Sequence, residues 1–156
     1  DDETKDSGSD DAVATLVGTG VEQLQAGDDE AATGTFTSVL ALDGDNLLAH
    51  YNLGLIAQQA GDTATALEHY DDALAVDAAY GPALYNKGIL LETTDLEGSV
   101  DLYRRAVEAQ PEFAPAHMRL GFALVHLGQT DEGEDHLEKG IELDPSMRDV
   151  PAPNYG

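Results

Sequence analysis

The sequence predicts an all-α solenoid of four helical pairs, and three observations carry that prediction. Gly20, Gly54, Gly88 and Gly121 recur at steps of 34, 34 and 33 residues, and Phe36, Tyr70, Tyr103 and Leu137 keep that period, with Val39, Ala73, Ala106 and Gly140 three residues behind each. A repeat of this length is the mark of a helical solenoid. Within the clearest unit, His50 to Asp77, Leu53, Ile56 and Ala57 and then Ala66, Tyr70, Ala73 and Leu74 fall at three- and four-residue intervals, as two amphipathic helices require. Between them Gly61 supplies a left-handed residue to end one helix and Asp62 a carboxylate to cap the next.

The four units are expected at about 13–46, 47–80, 81–113 and 114–146, eight helices in all. The first carries Gly20, Gly27-Asp28, Ala32, Phe36 and Leu42-Asp43, with Val39 in place of a second Ala. In the second, Gly54 and Ala66 are small where helices must approach, and Tyr70 fills the space beyond; Asp45-Asn46 is placed to cap its opening helix. The third carries Leu84-Tyr85-Asn86, Gly88, Tyr103, Ala106 and Pro111, but has Thr93-Thr94-Asp95 where the others have Gly-Asp and is one residue short there, so its inner turn is expected to differ. Pro82 and Pro115 stand where a first helical turn tolerates proline. The fourth carries Leu120-Gly121, Gly128, Gly133, Leu137, Gly140 and Asp144-Pro145; a glycine inside a helix costs up to about 1 kcal/mol relative to Ala, so the last helix is expected to be the least stable.

These residues resemble the tetratricopeptide repeat, whose motif is a helical pair with Leu-Gly, a Gly-Asp turn, a small residue, an aromatic, a second Ala and a closing Asp-Pro. The resemblance spans about residues 13 to 145 and implies a right-handed superhelical arc. It implies further that the first helix of each pair lines a concave face.

Flanking the repeats, residues 1–12 are acidic and almost without apolar side chains, which predicts a disordered tail. Residues 147–156, with Pro151 and Pro153, are expected to be extended. The whole chain carries 31 acidic against 7 basic residues, a formal charge of -24. That balance argues against nucleic acid and anionic membranes and favours a basic partner. The excess of Asp and the scarcity of Lys resemble adaptation to high salt, and an acidic protein from a GC-rich actinobacterium has similar composition. No apolar run reaches the roughly 20 residues of a membrane span, no cysteine is present, and the first residue is Asp1. Both a cytoplasmic setting in a high-salt organism and an extracytoplasmic domain whose upstream signal or anchor has been removed fit these features.

No catalytic, cofactor or metal motif emerges, so the chain is read as a non-enzyme without cofactor. His50 and His117 share one slot in their repeats, which favours a packing role, and Glu132 with His136, one turn apart on a solvated acidic helix, favour an ion pair or no interaction over metal contact. The informative surface is the concave one. Alignment of the units places there Val17 and Val21, then Tyr51, Asn52 and Leu55, then Tyr85, Asn86 and Ile89, then Met118, Arg119 and Phe122. Asn52, Asn86 and Arg119 resemble part of the set with which some relatives grip a partner's terminal carboxylate, but the lysines of that set are missing. The expected function is a scaffold or adaptor holding a protein or peptide segment with apolar anchors and basic flanks. The chain is expected to be monomeric in dilute solution. Two alternatives stand beside it: a structural subunit stacking end to end, and an accessory domain of a larger enzyme or membrane-anchored protein.

Overall fold

The computed structural model describes residues 3–156, with side chains from residue 8 onward, and among the described residues it holds helices and no strand. Eight α-helices form four hairpins: α1 (Glu3–Gln25) with α2 (Asp29–Leu42), α3 (Leu47–Gln59) with α4 (Thr63–Val76), α5 (Gly81–Leu91) with α6 (Leu96–Ala109), and α7 (Ala114–His126) with α8 (Thr130–Leu143). They divide into two compact units between Ala78 and Ala79. Within the first unit α2 packs on α3; within the second α6 packs on α7.

Six of the helix starts, those of α2 to α7, have a local cause. Asp28, Asn46, Asp62 and Asp95 each accept a backbone N–H three residues on, at 2.9 to 3.1 Å, which satisfies donors that a helix leaves open. α5 and α7 begin without such a cap but with proline in the first turn. Helix ends at Gly27, Gly61 and Gly128 take φ of 77 to 81°, the left-handed conformation that closes a helix cheaply only with glycine. The third hairpin differs as its sequence requires. Lacking that glycine, it stays right-handed at Glu92, and Thr94 and Asp95 both donate their N–H to the Leu91 carbonyl, at 3.0 and 2.7 Å.

Hairpin packing repeats one device. A Cβ added at Gly54 would lie 2.6 Å from the Tyr70 ring, and the same contact is 2.7 Å for Gly20 with Phe36 and 2.5 Å for Gly88 with Tyr103. Phe36, Tyr70 and Tyr103 are fully buried as a result. In the fourth hairpin leucine replaces the aromatic, and the helices close further. A Cβ on Gly121 would lie 2.6 Å from Leu137 and 2.7 Å from the Gly133 carbonyl, and one on Gly140 2.7 Å from Met118 Sδ. The two α8 glycines thus permit backbone-to-backbone packing, which offsets their helix propensity cost.

Both ends depart from expectation. α1 starts at Glu3, so residues 3–12, expected as part of a disordered tail, are helical; Asp1 and Asp2 lie outside the described residues. Extending an anchored helix is far easier than nucleating one, and acidic groups near an N-terminus favour it. Packing itself begins at Val13. Of residues 147–156, Met147 to Asp149 belong to a 3-10 turn, Pro145–Asp149, capped by Asp144, which accepts the Ser146 N–H at 3.0 Å. Only from Val150 is the chain free of helix.

Candidate functional site

In the first unit the expected inner residues are partly spent on the fold. Val17 and Val21 lean on the core formed by Val13, Phe36, Val39 and Leu53. Tyr51 is half-buried, its ring 6.1 Å from that of Tyr70, and Leu55 is half-buried. Asn52 is 9 % exposed and its Nδ2 donates to the Leu48 carbonyl at 2.8 Å. Its Nδ2 therefore serves its own helix and not the partner carboxylate that the resemblance to a clamp implied.

The second unit brings its inner residues together. Tyr85 stands on α5 with its ring 6.0 Å from Tyr103 and 5.0 Å from Phe113. Arg119 on α7 pairs with Glu92 at 2.9 Å, and Glu92, 7 % exposed, also accepts the Tyr103 hydroxyl at 2.6 Å. Burial drives the Tyr103 pKa up, and the hydrogen bond to Glu92 adds to it. Burial works against the Arg119 charge, but Glu92, Tyr85 and Tyr103 hold its pKa above the ordinary arginine value. The guanidinium is thus neutralised internally, so the partial carboxylate clamp finds no unpaired cation here. The same slot in the first unit is neutral: Gln58 accepts the Tyr70 hydroxyl at 2.5 Å. Met118, 4 % exposed, belongs mainly to the core, while Asn86, Ile89 and Phe122 are half-buried.

Across this face lies the end of the chain itself. Tyr85, Pro115, Met118, Arg119 and Phe122 bound one side of a cavity of ≈ 130 Å³, and Met147, Val150, Pro151 and Pro153 bound the other. Further along, Tyr155 packs on the core of Val100, Tyr103, Leu120, Ala123 and Leu124, alongside Tyr85 and Ile89. Its ring sits 5.1 Å from His126. Its hydroxyl is buried without a hydrogen-bond partner among the described residues, and burial, reinforced by the Glu92 charge, raises its pKa. Periodicity could not locate Tyr155, which lies outside the repeat; the clue was its composition, an aromatic and two prolines after the last unit.

Outside this face, Glu132 is held by Arg104, with a second bond from Arg104 Nη2 at 3.1 Å, and not by His136. His136 faces His117, Nδ1 to Nδ1, at 2.9 Å. Burial, then repulsion from His117, lowers the His136 pKa, outweighing Glu132 and Asp135. Because the folded value lies below the unfolded one, this histidine's contribution to stability is complete above about pH 6.5 and is lost as pH falls through the lower, folded value. Urea unfolding at pH 7.5 and pH 5 is expected to show a smaller loss of stability for His136→Gln than for the native chain; an equal loss contradicts the assignment.

The sequence profile of the tetratricopeptide repeat family matches residues 18–83 and 85–148. The chain belongs to the tetratricopeptide repeat (TPR) family. Among solved structures, MamA (residue 41 to the end) from Desulfovibrio magneticus RS-1 is 26 % identical with a TM-score of 0.70, covering 87 % of this chain and 77 % of that one. Pseudomonas aeruginosa pilF is 26 % identical with a TM-score of 0.78 over 88 % of this chain and 64 % of pilF. A mutant of the Thermobaculum terrenum O-GlcNAc transferase is 26 % identical with a TM-score of 0.68, over 74 % of this chain but 22 % of that longer one. No curated protein matches. The fold is therefore the all-α TPR solenoid, generally a non-catalytic scaffold for protein interaction, and among the described residues no helix is long and apolar enough to cross a membrane.

Proposed function

We propose that this TPR protein is an adaptor that holds an extended peptide segment on the inner residues of its hairpins, and that in the second unit residues 147–156 occupy the place of that ligand. One observation supports the reading: Val150, Pro151 and Pro153 line one cavity with Tyr85, Met118 and Phe122, and Tyr155 packs on the neighbouring core beside Tyr85 and Ile89, positions that the alignment of the repeats assigns to an inner face. The occupant describes the ligand class. From Val150 onward it is free of helix and proline-containing, and it carries an aromatic anchor in Tyr155, a form that reaches a groove with little conformational entropy left to lose. The formal charge of -24 selects among such segments for those flanked by Lys or Arg.

The occupant is built to be displaced. Burying the Tyr155 hydroxyl unpartnered costs about 1–3 kcal/mol, which offsets much of the gain from its ring. A short tether supplies a local concentration on the order of 1 mM. A segment with an intrinsic Kd of about 0.1 mM then blocks the face roughly nine-tenths of the time and weakens any competitor about tenfold.

The test is titration of the synthetic peptide MRDVPAPNYG into the intact chain and into a chain ending at Ser146. The shortened chain is expected to bind at least about tenfold more tightly, with binding lost in Phe122→Ala and improved for the peptide carrying Tyr155→Phe. Equal affinity for intact and shortened chains, or unchanged binding in Phe122→Ala with helicity retained, would sink the proposal. The likeness to part of an O-GlcNAc transferase favours, as a second reading, an accessory domain in a longer enzyme; peptide capture on the same face is compatible with it.

A further inference from the structure

We propose that the second hairpin binds a divalent transition-metal ion of the imidazole- and carboxylate-seeking class typified by Zn2+, held between His50 on α3 and His69 and Asp72 on α4. His50 Nδ1 lies 3.3 Å from His69 Nδ1 and 3.5 Å from Asp72 Oδ2, and the three ligand atoms all lie within 4.8 Å of one another. Two nitrogens each about 2.0–2.1 Å from a tetrahedral ion stand about 3.3 Å apart, so the spacing of the two imidazoles is that of one edge of such a site. The protonation pattern agrees. His50 Nε2 is 3.0 Å from the Gly44 carbonyl, which can only accept, so Nε2 carries a hydrogen, and in the neutral ring Nδ1 is the ligand atom left facing His69 and Asp72. A backbone carbonyl fixing a ligand histidine in this way is the usual support of a metal-bound imidazole.

The fourth hairpin contains an internal control. His117 and His136 occupy the same repeat slots, and His117 Nε2 is likewise bonded to a carbonyl, that of Pro111, at 2.9 Å. There the two Nδ1 atoms are 2.9 Å apart, closer than the 3.3 Å of the second hairpin and short of the edge of a tetrahedral site. The slot of Asp72 is taken by Lys139, which pairs with Glu142 at 3.0 Å. A cation in place of the third ligand excludes a metal from that pair. The difference between two otherwise equivalent sites is therefore the addition of a carboxylate together with a wider nitrogen spacing.

Three protein ligands leave a fourth position for water or for a group from a partner. His50 and Asp72 border a shallow pocket with Gly44, Asp45, Ala75 and Val76, which gives that position access to solvent. The bound ion would tie α3 to α4 across the hairpin. Harder cations gain less from two imidazoles, which separates this site from diffuse attraction to an acidic surface.

The experiment uses the untagged full chain freed of metal by chelator and titrated with Zn2+ by calorimetry, and with Co2+ by visible absorption, in excess Mg2+. One equivalent is expected to bind, with a tetrahedral Co2+ spectrum and a rise in melting temperature. Asp72→Asn, at an exposed position, and His69→Gln are each expected to weaken Zn2+ at least tenfold, while His136→Gln leaves the affinity unchanged. Absence of saturable binding, displacement by Mg2+, or undiminished affinity in Asp72→Asn with the fold intact overturns the site.

Discussion

Tyr103→Ala is expected to destabilise the protein by about 3–5 kcal/mol, the range for truncating a fully buried aromatic side chain. The ring is 0 % exposed and fills the space that Gly88 leaves between α5 and α6. Its loss opens a cavity against Val100, Leu120 and Leu124, which belong to the same core cluster, and removes the hydroxyl that Glu92 accepts at 2.6 Å. Set against a typical total stability of 5–15 kcal/mol, that is a large fraction. Tyr103→Phe separates the terms: it keeps the packing and removes only a hydrogen bond to a charged acceptor, about 1.5–3 kcal/mol. Urea denaturation followed by circular dichroism is expected to rank Ala well below Phe, and Phe below the native chain. Equal losses for both would mean that the hydroxyl network, and not the ring, holds the hairpin.

Raising the salt concentration is expected to raise the melting temperature. A formal charge of -24 on 156 residues makes self-repulsion the dominant exposed electrostatic term, and it acts over about 30 Å at 0.01 M salt but about 3 Å at 1 M. The same screening weakens the exposed pairs, Arg104 with Glu132 and Lys139 with Glu142, but such pairs contribute only about 0.2–1 kcal/mol each. The partly buried pair of Arg119 and Glu92 is screened less. Repulsion therefore wins, and a gain of about 2 kcal/mol corresponds to a rise of about 4–8 °C for a chain of this size. Scanning calorimetry at the two concentrations checks it; a flat or falling melting temperature would remove the case for adaptation to high salt.

The repeat itself was legible because it is a sequence-local pattern. Gly54 with Tyr70, the left-handed Gly61 and the capping Asp62 all follow from spacing within one unit, and the missing glycine at Thr93 to Asp95 announced the changed third turn. What escaped were relations that no period encodes. Arg119 finds Glu92 across 27 positions, so a residue expected to face a ligand is already neutralised. Asn52 turns its amide back on its own helix, a choice fixed by a rotamer and not by residue type. Residues 3–12 looked too polar to fold because composition does not reveal that an anchored helix propagates outward. The facing of His50 and His69 depends on how closely α3 and α4 approach, which the glycine pattern implies only in general.

The most direct test of the binding account is chemical-shift mapping by NMR of the chain ending at Ser146 as the peptide MRDVPAPNYG is added. Saturable shifts are predicted at Tyr85, Ile89, Met118 and Phe122 and at the core residues Leu120 and Leu124, with intermolecular contacts to the Tyr155 ring. Shifts confined to the exposed residues of α6 and α8, or none at saturating peptide, would contradict it.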